Sequence, residues 1–391
     1  MPVRSVRSRR RLAVALLAAS LAALSPTAVA TTTPPGPRPG TGLQQQLQDL
    51  VDAPGGPPGV IAVLRDGRNS RVLRAGVADL DTGRRPAPHD HMRIASTAKA
   101  FSGAVALSLV DWNTLDLDDT LGERLPHLPK AWHAVTLRQL LHHTSGLPDY
   151  SRSPGFLKIV LADPRHRFDS RKLLDFAAGE SLRFEPGSRY EYSNSDNIAV
   201  ALMAEAATRI PYEQLLRKLV YRPLGLRDTS LPQGYRMPKP YLHGYDVSPP
   251  DPPVDVSEVL GMSGVWASGG IVSTPSDMTR FIRGYAEGRL YGPQVVDQQR
   301  DWIPGNSEPK GPGRNDAGLG IFRYTTRCGV VLGHTGNTLG YTQLIAATPD
   351  GQRSLTFSVT TQINQAQKPD LLRRMRAVQE NLVCALLRHR S

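Results

Sequence analysis

Ser96-Thr97-Ala98-Lys99 sets a hydroxyl and an amine three residues apart at the head of an apolar segment. On a helix that spacing puts both side chains on one face, one turn apart, where a partly desolvated amine can take the hydroxyl proton. Ser96 is therefore the expected nucleophile and Lys99 its base. A pattern this short also arises by chance, and a second copy, Ser307-Glu308-Pro309-Lys310, lies among Gly305, Gly311, Pro312 and Gly313. That copy reads as a loop without chemistry. The copy at Ser96 is followed by Phe101, Ala104, Val105, Leu107, Leu109 and Val110, which predicts a helix buried on most of its surface. Such a helix does not carry a lysine in its first turn without a partner.

Two other groups stand where elements begin or end. Tyr192-Ser193-Asn194 is the only Tyr-x-Asn among 12 tyrosines and precedes an amphipathic helix carrying Ile198, Leu202 and Ala206. His334-Thr335-Gly336 follows a short predicted strand, Val330-Val331-Leu332, and precedes another, Tyr341 to Ala347. Strands are also predicted at Val60 to Leu64 and Val72 to Val77, about an Asp66-Gly67 turn. Leu43, Leu47, Leu50 and Val51 mark a first helix, and Leu371, Met375, Val378, Leu382 and Ala385 form the stripe of a closing one. Strands thus occupy both ends of the chain, and helices and long loops fill the middle.

In that order the three motifs resemble those of the penicillin-recognising serine hydrolases, the superfamily of D-alanyl-D-alanine peptidases and serine β-lactamases. The combination is most similar to secreted D-alanyl-D-alanine carboxypeptidases of actinobacterial type and their class C-related esterase cousins. The likeness extends to Leu140-Leu141-His142-His143-Thr144-Ser145-Gly146-Leu147, Tyr221 to Leu226, and Ala267 to Thr274. It implies an α/β fold of the α+β type, a β-lactamase/transpeptidase-like antiparallel sheet flanked by terminal helices with an all-α lobe inserted. The sheet lobe is expected from residues 42–95 and 289–391, the helical lobe from 96–288, and the cleft between them.

The resemblance also implies roles. Tyr192 passes the serine proton to the leaving amine, and the backbone N–H groups of Ser96 and Asn337 receive the oxyanion. Asn194 holds the substrate amide, His334, Thr335 and Gly336 form the opposite wall, and Trp266 supplies an aromatic wall. An arginine on the strand before the third motif, Arg323 at the nearest register, anchors a terminal carboxylate. Asn337 departs from the threonine frequent at its position. Ser195-Asp196-Asn197 spells a class A β-lactamase triplet, but no Lys-Thr-Gly strand accompanies it, so Ser195 and Asp196 are read as polar first-turn residues of a helix. His142 and His143 are given no site role. Cysteine and histidine spacing suggests no metal, and no cofactor is expected.

The 391 residues suffice for one two-lobed unit. Arg4, Arg7, Arg9, Arg10 and Arg11, the apolar run Leu12 to Leu24 and Ala28-Val29-Ala30 read as a secretory signal cut after Ala30, leaving a secreted chain without a stable membrane anchor. Residues 31–41, rich in Pro and Thr, read as a flexible linker. Without the signal's five arginines the formal charge falls from +12 to +7, and the scattered basic residues do not point to nucleic acid. An oxidising destination predicts that the only two cysteines, Cys328 and Cys384, pair. The expected function is that of a monomeric D-alanyl-D-alanine carboxypeptidase acting on peptidoglycan stem peptides and acylated by β-lactams. The alternatives are an esterase or amidase on small acyl substrates, a β-lactamase and a non-catalytic penicillin sensor.

Overall fold

In the computed structural model, which describes residues 42–388, one antiparallel sheet is built from both ends of the chain. Its strands are β1 (Gly59–Asp66), β2 (Asn69–Gly76), β3 (Ile303–Pro304), β4 (Arg314–Ala317), β5 (Phe322–Thr326), β6 (Gly329–Thr338), β7 (Tyr341–Ala347) and β8 (Arg353–Val359). They lie in the order β2-β1-β8-β7-β6-β5-β4-β3. Val60 stands opposite Val359, so the first strand pairs with the last. The β1–β2 hairpin turns at Gly67, whose φ of 55° glycine adopts without a Cβ clash.

The principal helices are α1 (Leu43–Val51), α2 (Ala98–Asp111), α3 (Asn194–Thr208), α4 (Pro275–Glu287) and α5 (Pro369–Leu387). Both faces of the sheet are covered. On β1, Val60, Ala62 and Leu64 enter one core while Ile61 and Val63 enter the other, as the two-residue strand period requires. The terminal helices α1 and α5 cover the first face, α5 through Leu371, Met375, Val378 and Leu382. Each such buried side chain contributes about 1.5–3 kcal/mol. Across the other face, α4 packs on β1, β7 and β8, and beyond it α2 packs on α3. Helix α2 is buried along nearly its whole length, as its mostly apolar composition predicts. Helix α4 lies within the span 96–288 yet packs on the sheet.

Two local expectations change. Ser96 sits in a short 3-10 turn, Ala95–Thr97, that leads into α2. The third motif is not at a strand edge, because β6 is one ten-residue strand running through it. The signal read at 1–30 and the linker read at 31–41 lie outside the described residues, and no helix among those described is long and apolar enough to cross a membrane.

Cys328 and Cys384 are bonded, tying the turn before β6 to α5 across 56 residues of sequence. Closing a loop of that length stabilises the fold by about 4 kcal/mol, mainly by restricting the unfolded chain. Ellman titration of denatured, unreduced protein is expected to find no thiol, and reduction to lower the melting temperature while leaving a folded enzyme. Two titratable thiols before reduction contradict this.

Candidate active site

The turn that carries Ser96 is held under strain. Ala95, with φ 50°, occupies the left-handed region that a non-glycine residue rarely enters, and the Thr97 hydroxyl donates to the Ile94 carbonyl at 2.6 Å. This lifts Ser96 to the cleft floor and starts α2 immediately behind it. Lys99, one turn on and 1% exposed, has its Nζ 3.2 Å from Ser96 Oγ, 2.8 Å from Asn194 Oδ1 and 2.8 Å from the Ser268 carbonyl. The last two partners only accept. A neutral amine therefore gives its two hydrogens to them and turns its lone pair towards Ser96, as a base for that hydroxyl must. Burial brings the Lys99 pKa down to about 7, against the opposing pull of Asp149, Glu308 and Asp196.

The orientation of Asn194 is set from behind, because its Nδ2 donates to Asp149 Oδ2 and to Ser151 Oγ, each at 3.1 Å. Tyr192 precedes it, with Ser193 as N-cap of α3 between them. The Tyr192 ring centroid lies 5.0 Å from Lys99 Nζ. Its hydroxyl is buried without a hydrogen bond of standard geometry, although Ser96 is close enough to favour its ionised form. Burial outweighs that effect and holds the phenol pKa well above its ordinary value. Of the two groups beside Ser96, Lys99 is thus the one that reaches its basic form near neutral pH.

The third motif meets the Ser96 turn through its glycine. A Cβ on Gly336 would stand 2.3 Å from the Ile94 carbonyl oxygen and 3.2 Å from Thr97 N, so β6 approaches this turn as only glycine allows. Asn337 then faces the cleft together with Ser96. His334 and Thr335 do not form the wall. Both are fully buried, with Thr335 Oγ1 donating to the Pro309 carbonyl at 2.6 Å and the His334 ring set against Phe322. Burial takes the His334 imidazole down to about 3, leaving it neutral. The loop 306–310 passes over them and supplies the wall in their place. The second Ser-x-x-Lys copy is thus a loop, as read, but Ser307, Glu308 and Lys310 line the cleft.

Two other expected wall residues are elsewhere. Trp266 is wholly buried, its indole N–H donating to Glu213 at 2.9 Å and its ring meeting the edge of Tyr212. Its φ of 23° turns the chain so that Val265 and Ser268, on either side, reach the cleft instead. Arg323 is bound to Asp316 on the adjacent strand at 3.0 and 3.1 Å and lies over Trp302, outside the cleft lining. Its β5 position places it opposite Leu332, two residues short of the motif.

Asp196 and His143, read as bland, stand directly behind Tyr192. Asp196 is fully buried and hydrogen-bonds to Ser145 Oγ and to His143 Nδ1, the latter at 2.7 Å, while the His143 ring lies 4.4 Å from that of Tyr192. The signal for them was the Leu-Leu-His-His-Thr-Ser-Gly-Leu run itself. Its His143 and Gly146 both take positive φ, so the segment folds into a sharp turn beside the Tyr-x-Asn motif. The cleft measures about 680 Å³. Among the described residues no group of three or more His, Cys, Asp or Glu side chains is arranged to hold a metal ion.

A family model described as Beta-lactamase matches residues 43–380. The chain belongs to the Beta-lactamase family. Among solved structures, this Beta-lactamase-family chain is similar to a D-stereospecific amidohydrolase from Streptomyces sp. (28% identity, TM-score 0.73, 84% of this chain and 96% of that one). It is also similar to the D-amino acid amidase of Ochrobactrum anthropi complexed with L-phenylalanine amide (25% identity, TM-score 0.76, 88% and 98%). Penicillin-binding protein 4* of Bacillus subtilis is 24% identical over 309 residues, 72% of this chain and 63% of that protein. The chain spans 44% of Protein flp of Staphylococcus aureus, to which it is 26% identical over 223 residues. Membership in the Beta-lactamase family makes the chain a serine hydrolase with the sheet and packed helices described above.

Proposed function

We propose that the protein is an exported amidohydrolase that cleaves the amide bond of D-configured acyl donors through an acyl-enzyme on Ser96. Lys99 takes the Ser96 proton as Oγ attacks the carbonyl carbon, and the backbone N–H groups of Ser96 and Asn337 receive the oxyanion. Tyr192 delivers a proton to the nitrogen as the C–N bond breaks, and Asn194 holds the substrate amide; water then attacks the ester, giving a proton to the Tyr192 phenolate while Lys99 returns its proton to Ser96 Oγ, which releases the acid and restores the site. The observation that carries this reading is the Lys99 environment, where two pure acceptors leave one lone pair for the serine. The names of the amidohydrolase and amidase relatives support a D-configured amide as substrate. The signal-like composition of residues 1–30 and the bonded cysteines support export.

The charges on the cleft wall favour a substrate bearing an amine over one bearing a terminal carboxylate. Arg323 is engaged by Asp316, Arg376 donates to the Gly311 and Gly313 carbonyls, and Arg152 stands 3.7 Å from Asp149. Glu308 places its carboxyl on the cleft wall. The second reading, a D-alanyl-D-alanine carboxypeptidase, rests on Lys310, an exposed cation of the same loop. Turnover of D-alanine p-nitroanilide and diacetyl-Lys-D-Ala-D-Ala on one preparation separates the two. The anilide is expected to be the better substrate, and Glu308→Gln to lower its kcat/KM by about ten-fold while sparing the tripeptide. Preference for the tripeptide, lost in Lys310→Ala, establishes the carboxypeptidase instead. A fluorescent penicillin is expected to label Ser96 under either reading.

A further inference from the structure

Helices α2 and α3 are joined at two levels, and the proposed reaction uses only the upper one. There Lys99 Nζ meets Asn194 Oδ1 at 2.8 Å. Three residues further along each helix, Asn197 Nδ2 donates to Ser102 Oγ at 2.6 Å. The Ser102 hydroxyl in turn donates to the backbone carbonyl of Lys99 at 2.9 Å. Its one hydrogen is thereby committed, so the Asn197 group facing it must be the amide nitrogen. A step of three residues is close to one helical turn, which stacks the two pairs on the same facing stripes. Lys99, Asn194, Asn197 and Ser102 thus close a ring: two of its sides are hydrogen bonds between helices, and the other two are single turns of α2 and α3.

The lower pair is a poor source of stability. Ser102 and Asn197 are both buried, among apolar neighbours on the same two helices, Phe101, Val105, Ile198 and Ala201. Asn197 Oδ1 has no hydrogen bond of standard geometry, and neither has the Tyr212 hydroxyl that stands near Ser102. An amide buried on these terms adds little net free energy. What it adds is direction, since a hydrogen bond selects one register between two helices where apolar side chains admit several.

The upper pair depends on that register. Asn194 is the first residue of α3 and Lys99 the second of α2, so their contact is sensitive to how the two helix starts are placed. Asp149 and Ser151 turn the Asn194 amide, but they lie on a separate segment of chain. We propose that Asn197 and Ser102 are positioning residues: their hydrogen bond sets α3 against α2 so that Asn194 Oδ1 falls on Lys99 Nζ and the amine lone pair is left for Ser96. Neither side chain lines the cleft, so both act through Lys99 and Asn194 and touch no substrate.

The proposal rests on the Ser96 acyl-enzyme reading, and its test keeps the two apart. Asn197→Leu combined with Ser102→Ala removes both polar partners at similar shape, a change expected to keep or raise the melting temperature. The maximum rate of acylation by a fluorescent penicillin is expected to fall about ten-fold with the apparent dissociation constant unchanged. In an Asn194→Ala background the same two changes are expected to alter the rate by less than about two-fold, because the contact through which they act is already gone. A merely structural loss slows both backgrounds alike. A crystal structure of the double variant is expected to show Asn194 Oδ1 beyond hydrogen-bond distance of Lys99 Nζ. A wild-type maximum rate in the folded double variant, an equal loss in the Asn194→Ala background, or a retained Lys99–Asn194 contact each overturns the proposal, whichever residue is acylated. Labelling that survives Ser96→Ala overturns the acyl-enzyme reading alone. Should the double variant not fold, Ser102→Ala decides, since it removes the hydroxyl that joins Asn197 to the Lys99 carbonyl. It is expected to slow acylation about five-fold at unchanged apparent affinity, and an unchanged rate overturns the proposal.

Discussion

Lys99→Ala is expected to slow acylation by about 10²–10⁴-fold, the contribution of a positioned proton acceptor. Ser96→Ala is expected to abolish labelling altogether. Lys99 has no substitute, because Tyr192, the other group beside Ser96, is held in its phenol form by burial. The wild-type pH dependence follows from the same burial. With its pKa lowered to about 7, Lys99 is mostly ammonium below that value and mostly free amine above it, so acylation rises with pH through a midpoint of about 7. Stopped-flow labelling with a fluorescent penicillin across this range checks both statements. A Lys99→Ala rate within about ten-fold of wild type, or a flat profile from about pH 5.5 to 8.5, removes Lys99 as the base.

Gly336→Ala is expected to be nearly as damaging without touching a reacting group. The added methyl meets Ile94 O at 2.3 Å and Thr97 N at 3.2 Å, backbone atoms that cannot rotate away. Strand β6 must retreat from the nucleophile turn, carrying Asn337 away from Ser96. One misplaced oxyanion donor costs about 3 kcal/mol, or roughly 10²-fold in kcat. The fold is expected to persist, since β6 stays paired with β7 over residues 332–338 and with β5 over 329–333. A kcat within about three-fold of wild type in a folded Gly336→Ala enzyme rules out this close approach as the organiser of the oxyanion site.

The legible and illegible parts of the site divide by what fixes each residue. Ser96 with Lys99, and Tyr192 with Asn194, were readable because each pair is held by local chain geometry three or two residues apart. The sheet and its terminal helices were readable from apolar periods of two and of three to four residues. Arg323 and Trp266 failed for opposite reasons. The facing of Arg323 depends on strand register and on Asp316 across the sheet, while Trp266 is rotated inward by its own unusual backbone angle. The Ser268 carbonyl, from a short helix, and Asp149 and Glu308, from loops, reach the site from distant parts of the chain, and nothing in their local sequence gives them that role. His143 and Asp196 lay inside recognised segments but looked ordinary, because their meaning arises only when positions 53 residues apart are folded together.

Pairing between the first strand and the last also governs when this site can come into being. Val60 waits for Val359, and the turn bearing Ser96 is braced by β6 near residue 336. During synthesis Ser96 and Lys99 therefore emerge long before the strands that order them, and the ribosome must complete almost the whole chain first. Contacts of such sequence separation form slowly, since the loop entropy is lost before they stabilise anything. A growing chain with this topology therefore cannot assemble its cleft until its tail is made.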